Sequence, residues 1–153
     1  AALRSPIEYS LDTRGDYGRI TILYGARSPM DICYKDKIVE WQNSDNVDVA
    51  LTVDRGDDEW KHRVGLIPVI LKEMNPAAEN TVAIICGPPI MIKFTLKALA
   101  ELGFADDNIV TTLEMKMKCG LGKCGRCNIE NIFVCKDGPV FYYSQLKNLP
   151  EEY

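Results

Sequence analysis

The stretch "MKCGLGKCGRCNIENIFVC", residues 117–135, holds four of the six cysteines of the chain. Cys119, Cys124 and Cys127 follow the spacing C-x4-C-x2-C, and seven residues separate the third from Cys135. That is the plant-type spacing for four thiolates on a 2Fe-2S cluster. The intervening Gly120, Gly122 and Gly125 suit the same chemistry. A glycine takes positive φ without a steric penalty, so backbone N–H groups can turn toward the sulfides and stabilise their negative charge. Lys116, Lys118, Lys123 and Arg126 add positive charge nearby. Three alternatives stand beside the cluster. A structural zinc on four cysteines usually uses two C-x2-C pairs, and one such pair is present. Disulfides are a second possibility. A thioredoxin-like C-x-x-C should open a helix after a strand, whereas "CGRC" sits in a glycine-rich run.

The other two cysteines lie apart. Cys33 falls in a stretch read as helix, where a small apolar core residue is the expectation. Cys86 ends an apolar run at "CGPP", where ligands bind in open α/β sheets, outside the carboxyl ends of the strands. A plain buried cysteine explains Cys86 equally well. His62, the single histidine, has no partner at a spacing that suggests a catalytic triad, and "DDEWKHR" reads as a polar loop. Trp41 and Trp60 require no cofactor. No residue is assigned a catalytic role.

These groups need elements to hold them. "GRITILYG" (18–25), "VDVALTVD" (47–54), "NTVAIICG" (80–87) and "DNIVTTLE" (107–114) read as buried strands. Helices are expected at "AALRSPIEYSLDTR", at 28–42 with Ser28 as cap and Pro29 leading, at 65–74, and at 88–103 ending on Gly103. A short terminal helix is expected in "SQLKNLPEEY". Helices alternating with apolar strands point to parallel βαβ units. The expected fold class is therefore α/β, a doubly wound parallel sheet with a small C-terminal iron-sulfur lobe. The expected parts are residues 1–114 as the nucleotide-binding domain, 115–140 as the cluster lobe and 141–153 as the tail.

Composition narrows the function classes. The chain has 153 residues, 46% of them hydrophobic, and a net charge of -4, which fits one ordinary domain with a small appendage. An acidic balance with scattered Lys and Arg argues against a nucleic-acid partner. No apolar run approaches the roughly 18 residues of a spanning helix, so no membrane insertion is expected. Clustered thiols without a signal peptide suggest a cytoplasmic protein using cysteine for metal or redox work.

"YGARSP", "CGPPIM" and the cysteine run together resemble the ferredoxin-NADP reductase superfamily. The closer likeness is to electron-transfer subunits carrying a C-terminal 2Fe-2S cluster: hydrogenase (sulfhydrogenase) gamma, anaerobic sulfite reductase B and dihydroorotate dehydrogenase electron-transfer subunits. The seven-residue gap before Cys135 most resembles the first two. The resemblance implies that NAD(P)H passes a hydride to FAD, and that single electrons then reach a partner such as a hydrogenase catalytic subunit through the cluster. By motif it places Gly87, Pro88 and Pro89 at the nicotinamide pocket with Cys86 beside the site of hydride transfer. Gly25, Ala26 and Arg27 fall on the adenosine side, with Asp54 as a further contact. Glu114 falls on the flavin side. Family members begin with a FAD-binding barrel and a first strand that the resemblance finds no counterpart for here, so this chain is expected to be a fragment or to be completed by another chain. A non-catalytic zinc-binding interaction module is the reading of a different class.

Overall fold

The computed structural model describes residues 3–147. The chain divides into two compact units between Asn75 and Pro76.

The first unit is a parallel three-stranded sheet, in the order β1 (Ile20–Ala26), β2 (Val47–Val53), β3 (Arg63–Val64). β1 and β2 are rich in β-branched residues and pair in full register from Ile20 opposite Val47 to Ala26 opposite Val53. Their helices are α1 (Arg4–Asp12), α2 (Lys35–Gln42) and α3 (Ile67–Met74). Ile38 and Trp41 of α2 are buried against Leu51 and Val53 of β2, and Ile7 and Leu11, one turn apart on α1, pack on the same cluster. β3 is a two-residue strand held by Thr52, whose hydroxyl donates to the Gly65 carbonyl at 2.7 Å. α3 then starts with Pro68 in its first turn and ends at Asn75 in the left-handed region.

The helix expected from Ser28 begins seven residues later, at Lys35. The Ser28 hydroxyl donates to the Asp31 carboxylate at 2.7 Å and caps no backbone N–H. The segment makes one 3-10 turn over Pro29–Asp31. It then runs extended so that the Cys33 N–H can donate to the Tyr24 hydroxyl at 3.0 Å. Cys33 is consequently exposed and outside any helix, which corrects its expected place in a core.

The second unit carries a sheet in the order β4 (Ala83–Ile85), β5 (Ile109–Thr112), β8 (Val140–Tyr142). α4 (Pro89–Glu101) is the crossover between the parallel β4 and β5, and it buries Thr95, Ala98 and Leu99. Gly103, at φ 85, lets the chain leave that helix. β8 runs antiparallel to β5, an element the sequence reading placed in the lobe and tail. Between β5 and β8 lies the cysteine lobe. It contains a hairpin of β6 (Asn128–Ile129) and β7 (Ile132–Phe133), followed by the single turn α5 (Val134–Asp137). The terminal helix is α6 (Tyr143–Leu146) and ends at Lys147; residues 148–153 of the segment expected to be helical lie outside the described residues. So do Ala1 and Ala2 at the start of the first expected helix.

The fold class is α/β with parallel sheets. Among the described residues the strands form two three-stranded sheets and the small hairpin.

Candidate metal centre

Cys127, Ile129 and Val134 form the buried core of the lobe, with Leu113, Met115, Phe133 and Cys135 packed around them. This small core anchors one end of the cysteine loop. The Val134 N–H donates to the Cys127 carbonyl at 3.0 Å, joining the loop to α5. The Asp137 carboxylate accepts the Phe133 N–H at 2.8 Å and closes that turn. Cys135, carried by α5, is thereby brought back to the loop thirteen residues earlier, where its Sγ accepts the Gly122 N–H at 3.3 Å.

None of the six cysteines is in a disulfide. The four in the lobe are neighbours: Cys124 influences the ionisation of Cys119, and both Cys127 and Cys119 influence that of Cys135. Gly120, Gly122 and Gly125 all have positive φ, at 68°, 66° and 72°. That backbone turns N–H groups inward: Leu121 and Lys123 each donate to Cys119 Sγ at 3.4 Å. From α5, the Cys135 N–H donates to Cys127 Sγ at 3.4 Å. Hydrogen bonds from the Leu121, Lys123 and Cys124 N–H groups draw the Cys119 pKa from 9 down to about 6. The neighbouring Cys127 side chain pushes the Cys135 thiol upward, against the opposing Gly122 N–H.

Four neighbouring cysteines, three of whose sulfurs accept backbone N–H groups, fit a 2Fe-2S group, whose irons are together held by four thiolates. Among the described residues no three His, Cys, Asp or Glu side chains are gathered around one point. Burial differs among the four: Cys124 is exposed, Cys119 and Cys135 are half-buried, and Cys127 is 1% exposed.

The residues expected to face a nucleotide fall in two groups. In the first unit Gly25 and Ala26 end β1, and Arg27 and Asp54 are exposed just beyond β1 and β2. The Asp54 N–H donates to the Ala26 carbonyl, and the Arg55 N–H to that of Arg27, both at 3.1 Å. All four therefore meet at the carboxyl ends of the two strands. In the second unit Cys86 and Gly87, partly buried, and Pro88 and Pro89, exposed, form the link from β4 into α4. The end of the flexible Met91 side chain lies over Gly87, where a Cβ would have to displace it. Glu114 is exposed just after β5.

Sequence reasoning missed a cleft of about 320 Å³ in the first unit, lined by Pro29, Ile32, Val39, Trp60 and His62 among others. Trp60 is held there by its indole N–H on the Arg63 carbonyl at 2.8 Å, with the His62 ring edge-on at 4.9 Å. A tryptophan inside an otherwise charged loop was the available signal.

Parallel strands joined by helices, followed by a lobe with four of the six cysteines, define the class in structural terms: an α/β protein with a cysteine-rich lobe. Residues 1–97 match the family model described as the oxidoreductase NAD-binding domain, and the chain belongs to that family. Residues 114–147 match the iron-sulfur cluster binding domain of dihydroorotate dehydrogenase B. The chain is 38% identical to the sulfhydrogenase 1 gamma subunit of Pyrococcus furiosus, over 98% of this chain and 53% of that protein. It is 33% identical to a probable dihydroorotate dehydrogenase B (NAD(+)) electron transfer subunit of Thermococcus kodakarensis, over 92% of this chain and 54% of that one. It thus spans about half the length of these relatives. The fold is similar to that of an NADH-dependent reduced ferredoxin-NADP oxidoreductase, with a TM-score of 0.63, 23% identity, 93% of this chain and 48% of that chain covered. No helix among the described residues is long and apolar enough to cross a membrane.

Proposed function

We propose that this chain is the NAD(P)-binding and cluster-carrying portion of an electron-transfer oxidoreductase subunit, with Cys119, Cys124, Cys127 and Cys135 as the ligands of a 2Fe-2S cluster. The observation that carries the reading is the set of backbone N–H donors facing three of those sulfurs: Leu121, Gly122 and Lys123 of the left-handed glycine loop, and Cys135 of α5. When bound, the cluster supplies one-electron transfer, which a nicotinamide, a carrier of two electrons as hydride, does not perform alone. FAD is the expected go-between in the whole protein.

The residues of this chain have separable tasks. Cys119, with its pKa drawn down to about 6, is thiolate at neutral pH and ready to ligate. The Gly122 and Cys135 N–H groups orient and stabilise the sulfurs they face. Arg27, exposed beyond β1, offers its guanidinium to a phosphate of the nucleotide, while Gly25, Ala26 and Asp54 shape the adenosine side. Gly87, Pro88 and Pro89 with Cys86 shape the nicotinamide side. Partner and acceptor follow the gamma-subunit likeness: a hydrogenase-type catalytic subunit in the cytoplasm. A second reading, with dihydroorotate dehydrogenase as partner, draws support from the domain matched at residues 114–147.

The test is iron and acid-labile sulfide analysis with anaerobic visible spectra before and after dithionite. About two irons and two sulfides per chain are expected, with colour that bleaches on reduction and is lost in Cys124→Ser. A colourless chain carrying one zinc overturns the proposal.

A further inference from the structure

The cleft of the first unit is formed by residues that follow β1 and β2: Pro29, Ile32 and α2 on one side, and the loop 57–62 on the other. The carboxyl ends of parallel strands are where α/β sheets take their ligands. Its floor is aliphatic, since Ile32, Ile38 and Leu51 are all buried. One wall is the indole of Trp60, and the loop fixes that ring. The Asp57 carboxylate accepts the Glu59 N–H at 3.2 Å, and the Asp57 carbonyl accepts the Trp60 N–H at 3.1 Å, which closes a tight turn. The indole N–H is tied to the Arg63 carbonyl at 2.8 Å. Gly56 gives the ring its seat, because a Cβ there would stand 3.2 Å from Trp60 Cδ1. The His62 ring, edge-on to the indole, continues the aromatic wall. At about 320 Å³ the cleft is in the range of small-molecule sites, roughly 300–1,000 Å³.

The titratable groups lining it are Asp57, Glu59 and His62 from the loop and Lys35 from α2. Glu59 and Lys35, both exposed, are in no ion pair among the described residues. The two whole segments around the cleft lean acidic: residues 29–42 hold three carboxylates and two lysines, and residues 54–63 hold four carboxylates and three Lys or Arg. The face of the indole adds the negative potential of its π system. Lys35 is the opposing charge in the lining, and its flexible stem lets the ammonium turn out into water.

We propose that this cleft binds a small aromatic cation, one or two fused rings bearing an ammonium group. The ring lies between the aliphatic floor and the Trp60 indole, and the ammonium meets Glu59. The inference stands apart from the cluster and nucleotide readings. Apolar burial holds the ring, and charge selects the ligand. An aromatic anion would set its charge against Asp57 and Glu59, and a neutral ring would leave Glu59 unused.

The full chain labelled with nitrogen-15 gives one indole N–H signal each for Trp41 and Trp60, its two tryptophans, and Trp60→Phe assigns them. Trp41 is 6% exposed and does not line the cleft, so its signal reports that the unit stays folded. Phenethylamine, phenylpropionate and phenylethanol, which share a ring and differ in charge, are titrated at neutral pH and fixed ionic strength. Phenethylamine is expected to move the Trp60 signal saturably and to bind about tenfold more tightly than phenylpropionate. Phenylethanol falls between them. Glu59→Gln should weaken phenethylamine by about threefold and leave phenylethanol unchanged. Val39→Lys adds a cation at a lining position that is 55% exposed, and it should bring the two charged probes level or reverse their order. A Trp60 signal that no probe moves saturably overturns the proposal. Phenylpropionate or phenylethanol binding as tightly as phenethylamine overturns it too, as does phenethylamine binding that neither substitution weakens.

Discussion

Gly122→Ala tests whether the backbone of the cysteine loop does what its geometry implies. Gly122 sits at φ 66°, and an L-residue held there costs roughly 1–2 kcal/mol. Space is a lesser matter. The new Cβ would stand 3.3 Å from Lys136 Cδ, which belongs to an exposed and flexible side chain, and 3.5 Å from Phe133 Cγ, an ordinary contact. Strain therefore sets the cost. The readout in the metal-free chain is hydrogen exchange at the Val134 amide, which is bonded to the Cys127 carbonyl. A loss of 1–2 kcal/mol speeds exchange by about 5- to 30-fold. Gly120→Ala and Gly125→Ala, at φ 68° and 72° with open space around the added carbon, should show the same acceleration. A second readout separates Gly122 from them. Only its N–H faces a cysteine sulfur, Cys135 Sγ at 3.3 Å. Backbone relaxation at 122 withdraws a donor that favours the more negative, reduced state. The reduction potential should fall, by roughly 40 mV for each kcal/mol of differential interaction in a one-electron couple. Unchanged exchange and potential in Gly122→Ala would refute the argument from left-handed backbone and inward N–H groups.

In the metal-free chain Cys119 should be the first of the six thiols alkylated by iodoacetamide at pH 7, with a rate that rises through about pH 6. Equal labelling of Cys124, read by peptide mass spectrometry, contradicts the donor set. Because the folded-state pKa is depressed, from 9 to about 6, this thiolate contributes stability that is complete above pH 9 and lost as pH falls through 6. Gly25→Ala should destabilise the first unit by about 1–3 kcal/mol through overpacking, since its Cβ would stand 2.8 Å and 2.9 Å from the Ile67 side chain. Gly15→Ala, with nothing within 4 Å, is the matched control. Urea titration followed by tryptophan fluorescence reads both, as Trp41 and Trp60 lie in that unit, and equal midpoints would contradict the packing.

The parallel pairing was legible because β1, β2 and β5 are short β-branched runs separated by segments of helical length, which leaves a crossover as the economical connection. The loop glycines were legible for a different reason, since residues between closely spaced ligands have few backbone solutions. α2 was misjudged at its start because Ser28 and Pro29 form a good local signal that tertiary contacts override: Ser28 turns to Asp31, and Cys33 is drawn to Tyr24. β8 was missed because its three residues carry no period of their own, and it exists through pairing with β5. The return of Cys135 to the Gly122 N–H was also out of reach. Spacing alone does not say how far α5 carries Cys135 back toward the loop.

The most direct test of the account is an iron-57 Mössbauer spectrum of the loaded chain before and after one-electron reduction. The account predicts two irons of equal intensity, both ferric when oxidised, with one becoming ferrous on reduction, as expected for a pair of thiolate-held sites in one cluster. A single ferrous thiolate site, or zinc with no iron signal, would contradict it.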